Sequence, residues 1–222
     1  MTVVLDTRRA QMVRAFRWSA IFFTGFLLIT HQVLINGPLI EIDKWIHDLD
    51  RPQFRGVSGF IIRRLDDLGL RGVTATALLL AAFYIARRFK TWRPLNLAIL
   101  SVISLNLVVG FFKFWLGRTK PKVGIDLLHF GGMSYPSGHA SNALLTWGVL
   151  AYLIYRYAHV DRYRGRLASA GVAAISLTVC IVSLIRDTHW FSDLLGGLFI
   201  GSALLVAIIA IDRSITSDRQ PS

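Results

Sequence analysis

Of the 222 residues 54% are hydrophobic, and Lys and Arg outnumber Asp and Glu by 25 to 13, a formal net charge of +12. The apolar residues stand in long uninterrupted runs, which excludes an ordinary soluble domain. The arginines bracket those runs as juxtamembrane charges do, which turns the basic excess away from nucleic acid. The single cysteine, Cys180, lies inside an apolar run, so no disulfide can form within the chain and helix packing is its expected role.

Residues 1–17 are polar and basic, and the first apolar run covers residues 19–35. No small-residue cleavage pattern follows it. Thr30-His31-Gln32 and Asn36-Gly37-Pro38 come instead, so a retained first span is expected, with His31 at the interface. Residues 41–64 are amphipathic. Trp45, Ile46 and Leu49 share one helical face and Phe54, Val57, Phe60 and Ile61 another, with Pro52 between, which predicts two short helices lying in the membrane interface. Asp43, Asp48, Asp50, Asp66 and Asp67 sit among arginines and a lysine, so ion pairs are expected of them rather than a metal site. Further spans are predicted over residues 73–85, 95–115, 143–157, 167–185 and 194–211, several of them shorter than the ~20 apolar residues that a crossing usually needs. The expected fold is an all-α polytopic membrane protein of one domain, residues 1–222. It has six transmembrane helices, short interfacial helices between the first and second, and a flexible polar tail at residues 214–222.

Six crossings would bring the end of the third span, the start of the fourth, the end of the fifth and the start of the sixth to one membrane face. Those places carry Lys113, Arg118 and Lys120, then Ser137 and His139, then Arg186, then His189 and Asp193. In Ser134-Tyr135-Pro136-Ser137-Gly138-His139, Pro136 stiffens the approach, Ser137 is a good N-cap and Gly138 lets a ligand come close. A helix starting there aims unpaired N–H groups and the positive end of its dipole at an anion. Lysine suits phosphate as a point charge and arginine as a fork. With two imidazoles present, one can attack phosphorus while the other protonates the departing oxygen, a scheme that requires neither metal nor cofactor. His189 and Asp193 are four apart, so on a helix the carboxylate can hold one ring nitrogen and leave the other free. His139 has no carboxylate near it in sequence, which suits the proton donor.

These segments resemble the type 2 phosphatidic acid phosphatase superfamily, metal-independent phosphatases related to vanadium haloperoxidases. Its signature joins a Lys-x6-Arg-Pro segment, a Pro-Ser-Gly-His segment and an Arg-x5-His-x3-Asp segment. Pro136-Ser137-Gly138-His139 matches the second in full and His189 to Asp193 the end of the third, and the next four residues, Leu194-Leu195-Gly196-Gly197, look typical of that segment too. The resemblance implies His189 as nucleophile, Asp193 as its orienting partner, His139 as general acid, and Lys113, Ser137 and Gly138 as phosphate holders. Two positions depart from the pattern. Lys120-Pro121 stands where the family has arginine and proline, with Arg118 two positions earlier, and Ser183 stands where the third segment has arginine, with Arg186 three before His189. Lys120, Arg118 and Arg186 are therefore the candidates to replace those arginines, Arg186 by swinging in from a kink unless Asp187 holds it away.

The resemblance points to a lipid phosphate substrate: phosphatidate, phosphatidylglycerol phosphate, or a polyprenyl phosphate or diphosphate. Trp115, Trp190 and Phe191 are placed to line the tail's entry, although interfacial aromatics are common. A phosphotransferase working through the same histidine, or a non-catalytic lipid-phosphate binder, are the alternatives. The face with both termini carries 14 of the 25 lysines and arginines, which favours termini in the cytoplasm of a bacterial-type cell membrane and a site facing the periplasm or exterior. Gly197 and Gly201 offer a small-residue face, for packing within the chain or against a second subunit in a homodimer.

Overall fold

The computed structural model describes residues 2–158 and 161–215, so residues 216–222 of the expected tail lie outside the described residues. In chain order the helices are α1 (Thr2–Leu34), α2 (Pro38–Asp48), α3 (Gly56–Asp66), α4 (Arg71–Arg88), α5 (Arg93–Leu116), α6 (Gly138–Tyr157), α7 (Arg162–Ile185) and α8 (Phe191–Ser214). Helix α1 starts well before the apolar run at residue 19. Its polar first half contains neither proline nor glycine, and polarity alone does not stop a helix. The short helices expected between the first and second spans are α2 and α3. Trp45 on α2, Leu49 just past its end, and Val57 and Phe60 on α3 stand exposed.

Among the described residues, four helical stretches are long and apolar enough to cross a membrane: Arg9–Leu34, Arg93–Val123, Arg162–Ile185 and Phe191–Ser214. A fifth results if α3, the single tight turn Asp67–Gly69 and α4 act as one span bent by 56°. The expected count of six therefore turns on α6, which is less apolar. The reason is its position. Helix α6 runs through the middle of the bundle with α4, α5, α7 and α8 packed around it, so protein rather than lipid meets most of its surface. Its polar residues return their hydrogen bonds to its own backbone, Ser141 to the Ser137 carbonyl and Asn142 to that of Gly138, at 2.9 and 2.7 Å.

Helix α8 lies between α1 and α6. At Gly197 a Cβ would stand 2.5 Å from the Ser137 carbonyl oxygen, and at Gly201 one would stand 3.2 Å from that of Ser141. Their small-residue face is thus occupied by α6 of the same chain. That close approach lets the start of α8 sit directly against the start of α6, the two helix ends that carry the histidines. Gly197→Ala is expected to lower the unfolding free energy in detergent by about 1–3 kcal/mol, the usual cost of overpacking. Gly72→Ala, whose new methyl meets nothing within 4 Å, should leave the melting curve where it was.

Candidate active site

The loop from Gly117 to Ser137 folds back on the end of α5. Gly117 closes the helix with φ of 52°, the His129 N–H donates to the Leu116 carbonyl, and the Ser134 N–H donates to that of Arg118. This return brings Ser134 beside Arg118, and both reach the first turn of α8. There Asp193 is fully buried and satisfied from several sides. It accepts from Ser134 Oγ at 2.5 Å, Arg118 Nη1 at 2.8 Å and the Trp190 N–H at 3.0 Å, and its Oδ2 lies 3.4 Å from His189 Nδ1. Sequence spacing placed this carboxylate one turn from His189, and the fold holds it there from three other directions.

Arg118 corrects an expectation. It was a candidate phosphate holder, yet it is completely buried and its five N–H groups are all engaged. Nε and Nη2 grip Asp126 at 2.8 and 2.6 Å, Nη2 also reaches Asp43 at 2.7 Å, and Nη1 serves Ser192 at 2.7 Å besides Asp193. No donor remains for a phosphate. Arg118 instead ties α2, the loop and α8 together behind the histidines. Asp43 completes the knot by accepting the Ser192 N–H at 2.8 Å, and burial pushes its carboxyl above the ordinary range against the opposing pull of Arg118. Trp190 belongs to the same layer. Its ring lies 5.4 Å from the Arg118 guanidinium and its Nε1 donates to the Thr119 carbonyl, so it faces inward rather than lining an entry. Trp115 stands half exposed on α5, stacked on Phe111.

In front of this layer the rings of His139 and His189 lie 5.9 Å apart, centroid to centroid, tilted by 59°. Ser137 caps α6 by accepting the Ala140 N–H, and its own N–H donates to the Asp193 carbonyl at 2.9 Å. The N–H groups of Gly138 and His139 are left without a helical carbonyl to meet, as first-turn groups are. Lys113 arches over this helix start: its Cε comes within 3.8 Å of where a Gly138 Cβ would be, and its ammonium donates to the Met133 carbonyl. Lys120 is exposed, and its charge and that of Arg71 both bear on Lys113.

The fold also supplies what the sequence withheld from His139. Asp66, at the end of α3, stands 3.9 Å from His139 Nε2 and is bonded to the Arg186 guanidinium and, at 3.4 Å, to Ser183 Oγ. Arg186 is thus held by the carboxylate that faces His139. That carboxylate is not Asp187, which pairs with His47 and Arg51 at 3.0 Å each. The turn carrying Asp66 is fixed in place. A Cβ at Gly69 would lie 2.7 Å from the His139 carbonyl oxygen, and Trp147 Nε1 donates to the Leu68 carbonyl at 2.9 Å. Asp43, Asp66 and Arg71 were not picked out for the site. The crossing arithmetic could have found them, because the connection between the first two spans shares the membrane face of the histidines.

Replacing Arg118 by Gln strands three buried carboxylates. It is expected to cost about 3–5 kcal/mol of stability, read as loss of the folded monomer in detergent, whereas Lys120→Gln should change stability by less than about 0.5 kcal/mol. An Arg118→Gln protein as stable as the parent would show that the knot does not hold the site.

The model of the PAP2 superfamily matches residues 94–216, more than half of the chain. Over 131 residues the chain is 28% identical to phosphatidylglycerophosphatase B of Bacillus subtilis (strain 168), a match covering 59% of this chain and 64% of that relative. The matched part thus spans less than two thirds of the relative's length. A crystal structure described as the first transmembrane PAP2 type phosphatidylglycerolphosphate phosphatase from Bacillus subtilis shares the fold. Its TM-score is 0.79 over 91% of this chain and 99% of that one, at 21% identity.

Proposed function

We infer the chemistry from one premise: this chain belongs to the PAP2 superfamily. The proposal is a hydrolase that removes phosphate from a membrane lipid phosphate monoester or diphosphate through a phosphohistidine on His189, without a metal. The observation that carries it is the pairing of His139 and His189, 5.9 Å between ring centroids, at a helix start covered by Lys113. In this reading the Nδ1–H of His189 is held by Asp193, which leaves Nε2 to attack phosphorus. Lys113 and the N–H groups of Gly138 and His139 stabilise the charge on the equatorial oxygens. His139 gives its proton to the lipid oxygen as the phosphorus–oxygen bond breaks, then takes one from the water that attacks the phosphohistidine, which releases phosphate and restores both rings. Asp66 faces His139 Nε2 at 3.9 Å and keeps that ring turned for the transfer. Arg186, shared between Asp66 and the incoming phosphate, stands in for the arginine that Ser183 replaces.

The amphiphilic substrate keeps its tail in lipid while its head enters between α6 and α8. The named relative makes phosphatidylglycerol phosphate the first substrate to try, ahead of phosphatidate and polyprenyl phosphates. In this reading α6 is counted as a sixth crossing, so both termini share one face, and the excess of lysine and arginine on that face favours the cytoplasm, with the histidines on the periplasmic or outer side. A reporter fused to the C-terminus is expected to be active inside the cell, and an external signal would reverse the orientation.

The functional test is phosphate release from a panel of lipid phosphates in detergent with a chelator present. Turnover is expected to survive the chelator, to vanish in His189→Ala and to fall about 10²–10⁴-fold in His139→Ala. Arg186→Ala is expected to lose about 10²-fold in kcat/KM, and unchanged turnover there would remove Arg186 from the site. Metal-dependent turnover defeats the mechanism. Lipid phosphate bound by the wild type without turnover would favour the non-catalytic reading, which the displaced arginines feed.

A further inference from the structure

At the end of the bundle opposite the histidines, α7 and α8 each lie along α6 but barely touch one another. Between them runs a cleft of about 640 Å³, lined at helical spacing by all three helices. Its inner part is apolar and small-floored: Leu144, Gly148 and Ala151 from α6, Ala173 from α7 and Leu205 from α8. Its mouth carries three arginines, Arg162 and Arg166 one turn apart on α7 and Arg213 from the last turn of α8. From Leu144 to Tyr155 the α6 wall rises about 16 Å at 1.5 Å per residue, roughly half of a ~30 Å hydrocarbon core. The cleft therefore has the depth of one leaflet, with its charge at the water boundary.

We propose that this cleft binds a bilayer phospholipid with an anionic head group, drawn from the leaflet opposite the histidines. The argument is charge complementarity along the cleft. Among the described residues, none of its three mouth arginines forms an ion pair, because the nearby carboxylates are engaged elsewhere. Asp212 is held by Arg93 at 2.6 Å and Arg156 at 2.9 Å, and Asp161 faces Arg164. Arg213 is kept at the mouth by the Tyr152 ring, 5.5 Å from its guanidinium. Guanidinium forks suit the two free oxygens of a phosphodiester, and the apolar inner part suits an acyl chain. The two histidines sit at the far ends of α6 and α8, so the lipid bound here is a ligand and not a substrate. The proposal stands whatever the histidines do.

The test uses the full chain in nanodiscs with phospholipids that carry a diazirine midway along one acyl chain and either a glycerol or a choline head group. After irradiation, labelled peptides are mapped by mass spectrometry. Labelling within residues 144–155 and 162–173 is expected to be at least about fivefold higher with the anionic glycerol-headed lipid. It should fall to the choline level in the Arg162→Gln, Arg166→Gln, Arg213→Gln triple variant. Should that variant fail to fold, Ala173→Trp, which plugs the cleft without touching its charges, is expected to abolish labelling by both lipids. Equal labelling by the two lipids in the parent, an unchanged anionic preference in the triple variant, or undiminished labelling of Ala173→Trp would overturn the proposal.

Discussion

One buried guanidinium organises this molecule. Arg118 donates five hydrogen bonds to Asp43, Asp126, Ser192 and Asp193, and through them holds the short helix α2, a loop and α8 in one arrangement. Three carboxylates around one cation leave a negative excess that burial makes costly. Two features offset it. The start of α8 turns the Ser192 and Trp190 N–H groups onto Asp43 and Asp193, at the positive end of the helix dipole. Burial also drives the Asp43 carboxyl toward its neutral form. Such a knot adds little net stability compared with an apolar core. Its consequence is geometric, because Asp193 cannot turn away from His189 without breaking bonds that have no replacement.

The site accordingly has two layers. Behind lie the groups with no freedom: Arg118, Asp193, Ser134, Ser192 and the inward-facing Trp190. In front lie the partly or fully exposed groups His139, Lys113, Lys120 and Arg186, which meet solvent. The division suits phosphoryl transfer, where a fixed nucleophile needs an exact direction while the cations must admit and release an anion. Ser183 stands where the superfamily pattern has arginine, and the guanidinium of Arg186 is bonded to Asp66, the carboxylate that faces His139.

Much of this was legible in the residues. Apolar runs marked the long helices, and a polar tetrapeptide before the fourth run marked the helix start that carries His139. The four-residue spacing from His189 to Asp193 placed that carboxylate one turn from the ring, where its Oδ2 lies 3.4 Å from Nδ1. What escaped was long-range pairing. Asp43 and Asp66 had cations close in sequence, and it was reasonable to pair them locally, yet their partners Arg118 and Arg186 lie 75 and 120 positions away. Composition cannot distinguish an arginine that meets a phosphate from one engaged by three carboxylates. The apolar run at residues 143–157 reads as a span, yet α6 is less apolar than the four span candidates, as a helix largely surrounded by protein can be. The early start of α1 escaped for a related reason, since apolar runs mark burial in lipid and not the limits of a helix.

The central claim is that His189 carries the phosphoryl group between substrate and water. Rapid mixing with a lipid phosphate labelled in its phosphate, followed by alkaline quench and peptide mapping, tests it most directly. The account predicts a transient label on the peptide containing His189, absent from His189→Ala and lost on acid treatment as a phosphoramidate is. Label on another residue, or turnover at full rate in His189→Ala, would contradict it.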